Sequence, residues 1–359
     1  MNHKQRVQSA LSHRGFDRLP VRYMAEPVVN EALTKYFGIQ DYSALLDLLG
    51  DDLRYVQPGY CGPPPRTFPD GSRELVWPVR GWPVPTRYID VRYGDGYYTE
   101  AFYRPFADIR DPAELDRFDL PTLEWLDYST VKTDCQRLSG YAIVTGTPGV
   151  LDFINGISHS RGIEQVLIDI GLEDPVYRAL LEKKFAYHYE AVEHTLQAGQ
   201  GMIDIVQTGE DLGTQQGLLL SPHKFNKLFA DKYRAFFDMV HRYGARVMLH
   251  VCGSARGLLP RLVDLGLDIL DVVQTSAAGM DIGDLRAQFG RDLNYCGSIC
   301  VQTTLPRSTP EQIIREVALR QQLFADGGLI LAPSHLIQTD TPLENILTLY
   351  RAAGSLACL

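Results

Sequence analysis

Apolar residues along the chain fall into two rhythms. Short runs rich in Val, Ile and Leu are bounded by Gly, Pro, Asn or Asp, and longer stretches carry an apolar residue every three or four positions. The first rhythm predicts buried strands and the second predicts amphipathic helices. Eight runs qualify as strands: Arg18–Met24, Asp52–Gln57, Tyr141–Thr145, Ile203–Thr208, Arg246–Cys252, Ile269–Gln274, Leu293–Gly297 and Leu329–Ala332. Helical stretches separate most of them: Ile163–Gly171, Pro175–Gln197, Pro222–Tyr243, Ala255–Leu265, Asp281–Phe289, Pro310–Phe324 and Pro342–Ala352. Ser221-Pro222, Thr309-Pro310 and Thr341-Pro342 place a capping hydroxyl before a proline at the first helical position, a helix-start signature. Strands alternating with helices imply an α/β fold with a parallel sheet, and eight strands imply that it closes as a (β/α)8 TIM barrel.

The interval between the second and third strands breaks the rhythm. Residues 58–104 are rich in Pro, Gly, Tyr and Arg and contain short alternating runs at Leu75–Val79, Thr86–Val91 and Tyr97–Phe102. Gly94-Asp95-Gly96 between the last two has the composition of a hairpin turn. A β-rich insertion at the barrel mouth is expected, either a substrate collar or a decorative loop. There is no fixed-period repeat and no low-complexity linker. The 359 residues are therefore expected to form one domain, 1–359, with 58–104 inserted.

Charge narrows the partners. There are 35 basic against 44 acidic residues, a net charge of −9, which argues against nucleic acid and anionic membranes. No apolar stretch is long enough to span a bilayer, so no membrane is expected. Met1–Asp17 is polar and lacks the apolar core of a signal peptide, so the expected location is cytoplasmic. Cysteines stay reduced there. The six cysteines (Cys61, Cys135, Cys252, Cys296, Cys300 and Cys358) are dispersed and are read as thiols. Most serve as small hydrophobes, with one or two open to metal ligation.

In a barrel of this kind chemistry sits at the carboxyl ends of the strands. Those ends carry Glu210-Asp211, His250-Val-Cys252, Gln274, Cys296 and His335. His250 and Cys252 are two apart, so strand alternation points both to one face. An imidazole beside a thiolate suits zinc. His335 is the third candidate ligand, and Glu210, Asp211 and Cys296 compete for a fourth place. Each also has a plainer reading: packed or hydrogen-bonded histidines, a small apolar Cys296, and a helix-start anion at Glu210 or Asp211. His188, His194, His223 and His241 fall on helices and are read as packing or surface residues, whereas His159 lies in a loop near the mouth. There is no phosphate loop and no Gly-x-Ser-x-Gly nucleophile elbow.

Four segments together resemble the uroporphyrinogen decarboxylase superfamily over roughly Tyr141 to Gly354. They are Glu210-Asp-Leu-Gly-Thr-Gln-Gln-Gly217, His250-Val-Cys-Gly-Ser254, Ile269–Met280, and Gly327-Gly-Leu-Ile-Leu-Ala-Pro-Ser-His335 with Thr341-Pro-Leu-Glu-Asn345. The resemblance implies a (β/α)8 barrel, a homodimer, and one of two chemistries. One branch is the cofactor-free decarboxylase. The other holds zinc methyltransferases that move a methyl group between a corrinoid protein and a thiol or other small acceptor. The decarboxylase branch implies an Arg-Gln-Ala-Gly-Arg segment after the first strand. Here that place is Arg22-Tyr-Met-Ala-Glu-Pro27, without the arginine pair that would hold substrate carboxylates.

The methyltransferase branch is closer, because His250 and Cys252 match its His-x-Cys zinc pair. Its Cys after the last strand is replaced by His335. An imidazole in place of a thiolate makes the site less anionic, which favours a Lewis-acid role over thiol activation. The expectation is a zinc-dependent methyltransferase acting between a small-molecule methyl donor or acceptor and a corrinoid (cobalamin), carried on a separate protein. Glu210 or Asp211 would complete the metal shell or act as general base, and Gln274 and Tyr55 would orient the substrate. Two alternatives stand beside it. One is a metal-free decarboxylase or lyase, with Arg54, Arg80, Arg87 and Arg104 on substrate carboxylates. The other is a non-catalytic corrinoid- or tetrapyrrole-binding protein using Tyr55, Tyr60, Trp77, Trp82, Tyr88 and Tyr93.

Overall fold

The computed structural model describes residues 1–76, 81–93 and 96–356. Trp77, Val79, Arg80, Gly94, Asp95, Cys358 and the side chain of Tyr93 lie outside the described residues.

Seven strands make the main sheet: β1 (Leu53–Tyr55), β2 (Ala142–Leu151), β3 (Ile205–Gly209), β4 (Arg246–His250), β5 (Ile269–Val273), β6 (Asn294–Ile299) and β7 (Leu329–Pro333). They pair in chain order, each parallel to the next. Helices supply the return paths that parallel pairing requires, such as Pro175–Gly199 between β2 and β3 and Pro310–Leu323 between β6 and β7. Every residue of β3, β5, β6 and β7 is buried, as expected of parallel strands covered on both faces. One face packs into the large core beneath the helices. The other forms a separate small core to which all seven strands contribute, including Leu53, Val144, Ile205, Met248, Ile269, Cys296 and Ile330. The sheet curls around this inner core. Val7 and Leu11 of helix His3–Leu11 pack into it as well.

The first expected strand, Arg18–Met24, is not a ladder strand. It makes a single isolated bridge at Val21, with a second at Ala25 just past its end. Pro20 has no N–H to give, which limits regular pairing. The same segment nevertheless bonds both edges of the sheet. Arg22 N–H donates to Leu331 O (3.0 Å), Pro20 O accepts from Leu331 N–H (2.8 Å), and Val21 O accepts from Asp52 N–H (3.0 Å). Helices Pro27–Phe37 and Tyr42–Leu49 follow, and sequence periodicity missed both. Their punctuation was present: Pro27 opens the first, and Gly38 and Gly50 end them in the left-handed conformation.

Two of the three hydroxyl caps form. Ser221 accepts from Lys224 N–H, and Thr309 makes a full capping box with Gln312. Thr341 does not cap. Its helix starts one residue later than expected, at Leu343, with Pro342 as the cap, and the Thr341 hydroxyl is buried without a partner.

Between β1 and β2 an antiparallel pair joins Arg87–Tyr93 to Gly96–Tyr103, in the register Val91 opposite Tyr98. His188 ties this region to the sheet. Its Nδ1 accepts from Leu151 N–H (3.0 Å), so Nε2–H donates to Gly81 O (2.8 Å). Burial holds its pKa well below the usual range, so it stays neutral. Among the described residues no helix is long and apolar enough to cross a membrane.

Candidate metal centre

β4 delivers His250 at its last residue, and the chain turns immediately through Cys252 and Gly253. β7 ends at Pro333, two residues before His335. One donor atom from each of His250, Cys252 and His335 lies within 4.8 Å of the other two. Cys252 Sγ is 3.3 Å from His250 Nε2, and the two imidazole centroids are 5.9 Å apart. No other such group of His, Cys, Asp or Glu occurs among the described residues.

The turn that presents Cys252 is tightly held. Gly253 has a φ of +77°, and a Cβ there would come within 2.7 Å of Thr214 O, so only glycine fits. Its N–H donates to Gln274 Oε1 at 2.9 Å, and Cys252 N–H donates to Asp211 Oδ1 at 3.3 Å. Gln274 and Asp211 therefore grip the Cys252 turn.

A second set of side chains aims His250. Its Nδ1 faces Asp271 Oδ2 at 3.2 Å. Asp271 also accepts from Gln207 Nε2 (2.8 Å) and Arg22 Nη1 (3.0 Å). Arg22 Nη2 donates to Tyr55 OH (2.6 Å), and Tyr55 OH donates to Gln207 Oε1 (2.8 Å). Arg22, Asp271, Gln207 and Tyr55 thus form a closed ring of hydrogen bonds. Burial alone would raise the Asp271 carboxyl, but Arg22 and the bond to His250 more than reverse this and hold it well below the usual range. An ionised Asp271 fixes the proton on Nδ1 and turns Nε2 toward Cys252 and His335.

His335 is pushed down by burial and by His250, so it presents a neutral imidazole. Burial pulls His250 down too, but its hydrogen bonds to Asp271 and Cys252 lift it well above the usual range. A metal entering this pocket has to displace a proton. Two imidazoles and one thiolate are good zinc donors, and three protein ligands with one open position is the pattern of catalytic zinc. The residues present fit that ion.

Cys296 does not join them. It sits in the inner core with Arg22 Nη1 3.8 Å from its sulfur, and burial together with Asp271 pushes its thiol up. Glu210 is turned onto the backbone, where it accepts from Phe153 N–H (2.7 Å), Ile154 N–H (2.9 Å) and Tyr233 OH (3.2 Å). Of the arginines considered for carboxylate binding, those among the described residues are committed or exposed. Arg54 is bound to Asp47 and stacks on Tyr141, Arg87 is bound to Asp70 and stacks on Phe68, and Arg104 is exposed.

Two cavities meet at the cluster. One of 730 Å³ is walled by Arg22, Tyr23, Tyr42 and Tyr55, and one of 390 Å³ by Trp82, Tyr88, Asp152, Lys184, Asp211 and Cys252. His250, His335, Leu336, Thr147 and Pro148 line both. Thr147 and Pro148 occupy an irregularity in β2, where the pairing with β3 shifts between Gly146 and Leu151. Bulges of this kind re-aim the chain beside active sites. His159 lines the smaller cavity from helix Asn155–Arg161 rather than from the expected loop.

The model of the uroporphyrinogen decarboxylase (URO-D) family matches residues 152–356, more than half of the chain. The chain belongs to the URO-D family. Within it, the chain is similar to the methylated-thiol–coenzyme M methyltransferase of Methanosarcina mazei, 29% identical over 128 residues. That alignment covers 34% of this chain and spans about a third (33%) of the relative's length. A solved methyltransferase structure from Methanosarcina mazei superposes with a TM-score of 0.66 at 18% identity, covering 99% of this chain and 98% of that one. It shares the fold.

Sequence reasoning passed over the residues that aim His250: Arg22, Gln207 and Asp271. A signal existed for Asp271, a lone charge within the apolar run Ile269-Leu-Asp-Val-Val273. A buried carboxylate needs a partner, and Arg22 lies 249 residues away in the chain.

Glu210 leads to a pH prediction. Burial, then Asp152, push its carboxyl up to about 8, against the backbone N–H groups of Ile154 and Phe153. In the unfolded chain the group titrates near its ordinary value of about 4.3. The folded protein therefore binds this proton more tightly than the unfolded one. The contribution is fully present below about pH 4.3 and is lost as pH rises towards 8, at up to about 1.4 kcal/mol per pH unit. Urea unfolding of wild type and Glu210→Gln between these limits should show wild type losing stability relative to the variant as pH rises. The variant's own cost shifts one curve against the other at every pH; equal slopes would refute the assignment.

Proposed function

We propose that this protein is a zinc-dependent methyltransferase, moving a methyl group between a small molecule and a corrinoid carried on another protein. The observation that carries the reading is the convergence of His250, Cys252 and His335, with Asp271 fixing the free nitrogen of His250. The M. mazei relative, named for methyl transfer from a methylated thiol to coenzyme M, supports the reaction class. We read the seven-stranded sheet, with residues 20–22 bonded to both edges, as a (β/α)8 barrel in one domain carrying 58–104 as a mouth insertion.

His250, Cys252 and His335 would hold the zinc. When bound there it supplies a Lewis acid for the heteroatom that carries the methyl group. With one thiolate and two neutral imidazoles, a divalent ion keeps a net positive charge, which suits polarising an oxygen or sulfur. Asp211 and Gln274 keep Cys252 in place through the backbone of its turn. The cavities on either side of the ligands give two approaches to one centre, for the small molecule and for the corrinoid. The decarboxylase alternative is weaker because Arg22 and Arg54 are committed to Asp271 and Asp47.

The test supplies zinc-loaded protein with a reduced cobamide and a panel of methyl thioethers and ethers, and follows the visible spectrum. Appearance of the methylated cobamide spectrum, abolished in Cys252→Ala, is expected. Absence of methylation with every donor, together with carbon dioxide release from an acid by metal-free protein, would overturn the reading in favour of a decarboxylase.

A further inference from the structure

The larger of the two cavities has a definite chemistry. Its 730 Å³ lies within the roughly 300–1,000 Å³ typical of small-molecule sites. Tyr23, Tyr42 and Tyr55 form an aromatic part of the wall, and Met24, Leu46 and Leu336 add apolar surface. Tyr42 and Tyr55 are 46% and 40% exposed, which leaves ring surface open to a ligand. Tyr23 and Tyr42 stand 6.4 Å apart, tilted at 45°. The metal ligands His250 and His335 line the same cavity.

The arginines of this wall each have a carboxylate partner: Arg22 has Asp271, Arg54 has Asp47, and the exposed Arg137 has Asp134. In the body of the cavity, away from His250 and His335, a carboxylate or phosphate would lose water without gaining a free partner, which is costly. A cationic ligand is disfavoured for a different reason. Tyrosine faces attract ammonium groups, but a fully substituted ammonium has no lone pair to offer a metal, and the site carries net positive charge once a divalent ion is bound. A neutral planar ligand meets neither objection. It can lay its ring against tyrosine faces and turn a lone pair toward His250 and His335.

We propose that this cavity binds the aromatic body of a neutral aryl methyl ether or aryl methyl thioether. The proposal rests on the methyltransferase reading for the identity of the ligand, but the binding it describes can be measured without turnover. The probes are 4-methoxyphenol, dimethyl sulfide, tetramethylammonium and benzoate. They are titrated calorimetrically into zinc-loaded and metal-free wild type, Tyr42→Ala, Tyr42→Phe and Tyr97→Ala, an exposed hairpin residue away from the cavity wall.

Methoxyphenol should bind wild type more tightly than the other three probes. Tyr42→Ala should weaken it roughly three- to tenfold, while Tyr42→Phe and Tyr97→Ala leave it near wild type. Thermal unfolding of Tyr42→Ala confirms a folded variant, and the Phe variant keeps the ring in any case. Preference for tetramethylammonium, benzoate or dimethyl sulfide would overturn the proposal, as would unchanged methoxyphenol affinity in Tyr42→Ala. Methoxyphenol binding equally to metal-free and zinc-loaded protein would support the cavity assignment while counting against the metal reading, so the two fail separately.

Discussion

Zinc is expected at about one equivalent per chain in wild type purified without chelator, and at below about a tenth in His250→Ala and Cys252→Ala. Each substitution removes one of three convergent donors, and two remaining ligands cannot hold the ion against buffer. Cys252→Ala should be the more severe, because it also removes the only anionic ligand. His335→Cys provides the informative contrast. It restores a thiolate at the last ligand position and should keep zinc, while making the site more anionic. Uptake should strengthen as pH rises through neutrality, since entry displaces the proton held between His250, Asp271 and Cys252. Elemental analysis of the four proteins decides the matter. Wild type below a tenth of an equivalent would remove the metal from the account, and so would His250→Ala retaining wild-type zinc.

The convergence of His250, Cys252 and His335 was legible in the sequence, though partly for an incomplete reason. Alternation along a strand was expected to place His250 and Cys252 on one face. In the structure β4 stops at His250, and Cys252 lies in the turn beyond it. The turn is held by Asp211 on the Cys252 amide and by Gln274, from beyond β5, on the amide of the left-handed Gly253. A short motif thus pointed to side chains that meet in space, while the contacts that hold their turn are non-local.

Cys296 and Glu210 show the same dependence on non-local structure. Cys296 was a plausible ligand by its place on β6, but its side chain belongs to the core inside the curled sheet, which only the assembled seven strands define. Glu210 was a plausible base, but backbone amides from the end of β2 capture it. The strand count was legible to within one element, because apolar runs are local. The first run fell short because Pro20 blocks regular pairing even where the chain is in place to bond both sheet edges. Helices Pro27–Phe37 and Tyr42–Leu49 could have been found from their end residues alone.

Asp271→Asn should weaken zinc binding by roughly 10- to 100-fold while leaving all three ligands intact. The amide keeps the shape of the carboxylate and can still accept from Arg22, Gln207 or His250. It loses the charge that fixes the proton on His250 Nδ1 and makes Nε2 a stronger donor. Asp271→Ala tests something different. Arg22, only 5% exposed, would then be buried opposite no anion, and stability should drop by about 3–5 kcal/mol. The double variant Arg22→Met with Asp271→Leu removes both charges and should recover most of that loss, yet it cannot recover zinc affinity, because His250 still lacks its acceptor. Acid titration supplies the sign. The native Asp271 carboxyl titrates below its unfolded value, so its contribution is present above about pH 4 and is lost as pH falls, a slope that Asp271→Asn should lack. Chelator competition measures the affinity and urea unfolding the stability. If Asp271→Asn bound zinc as tightly as wild type, the ring of Arg22, Tyr55, Gln207 and Asp271 would be a packing device alone, and the aim of His250 would have to come from the backbone of β4.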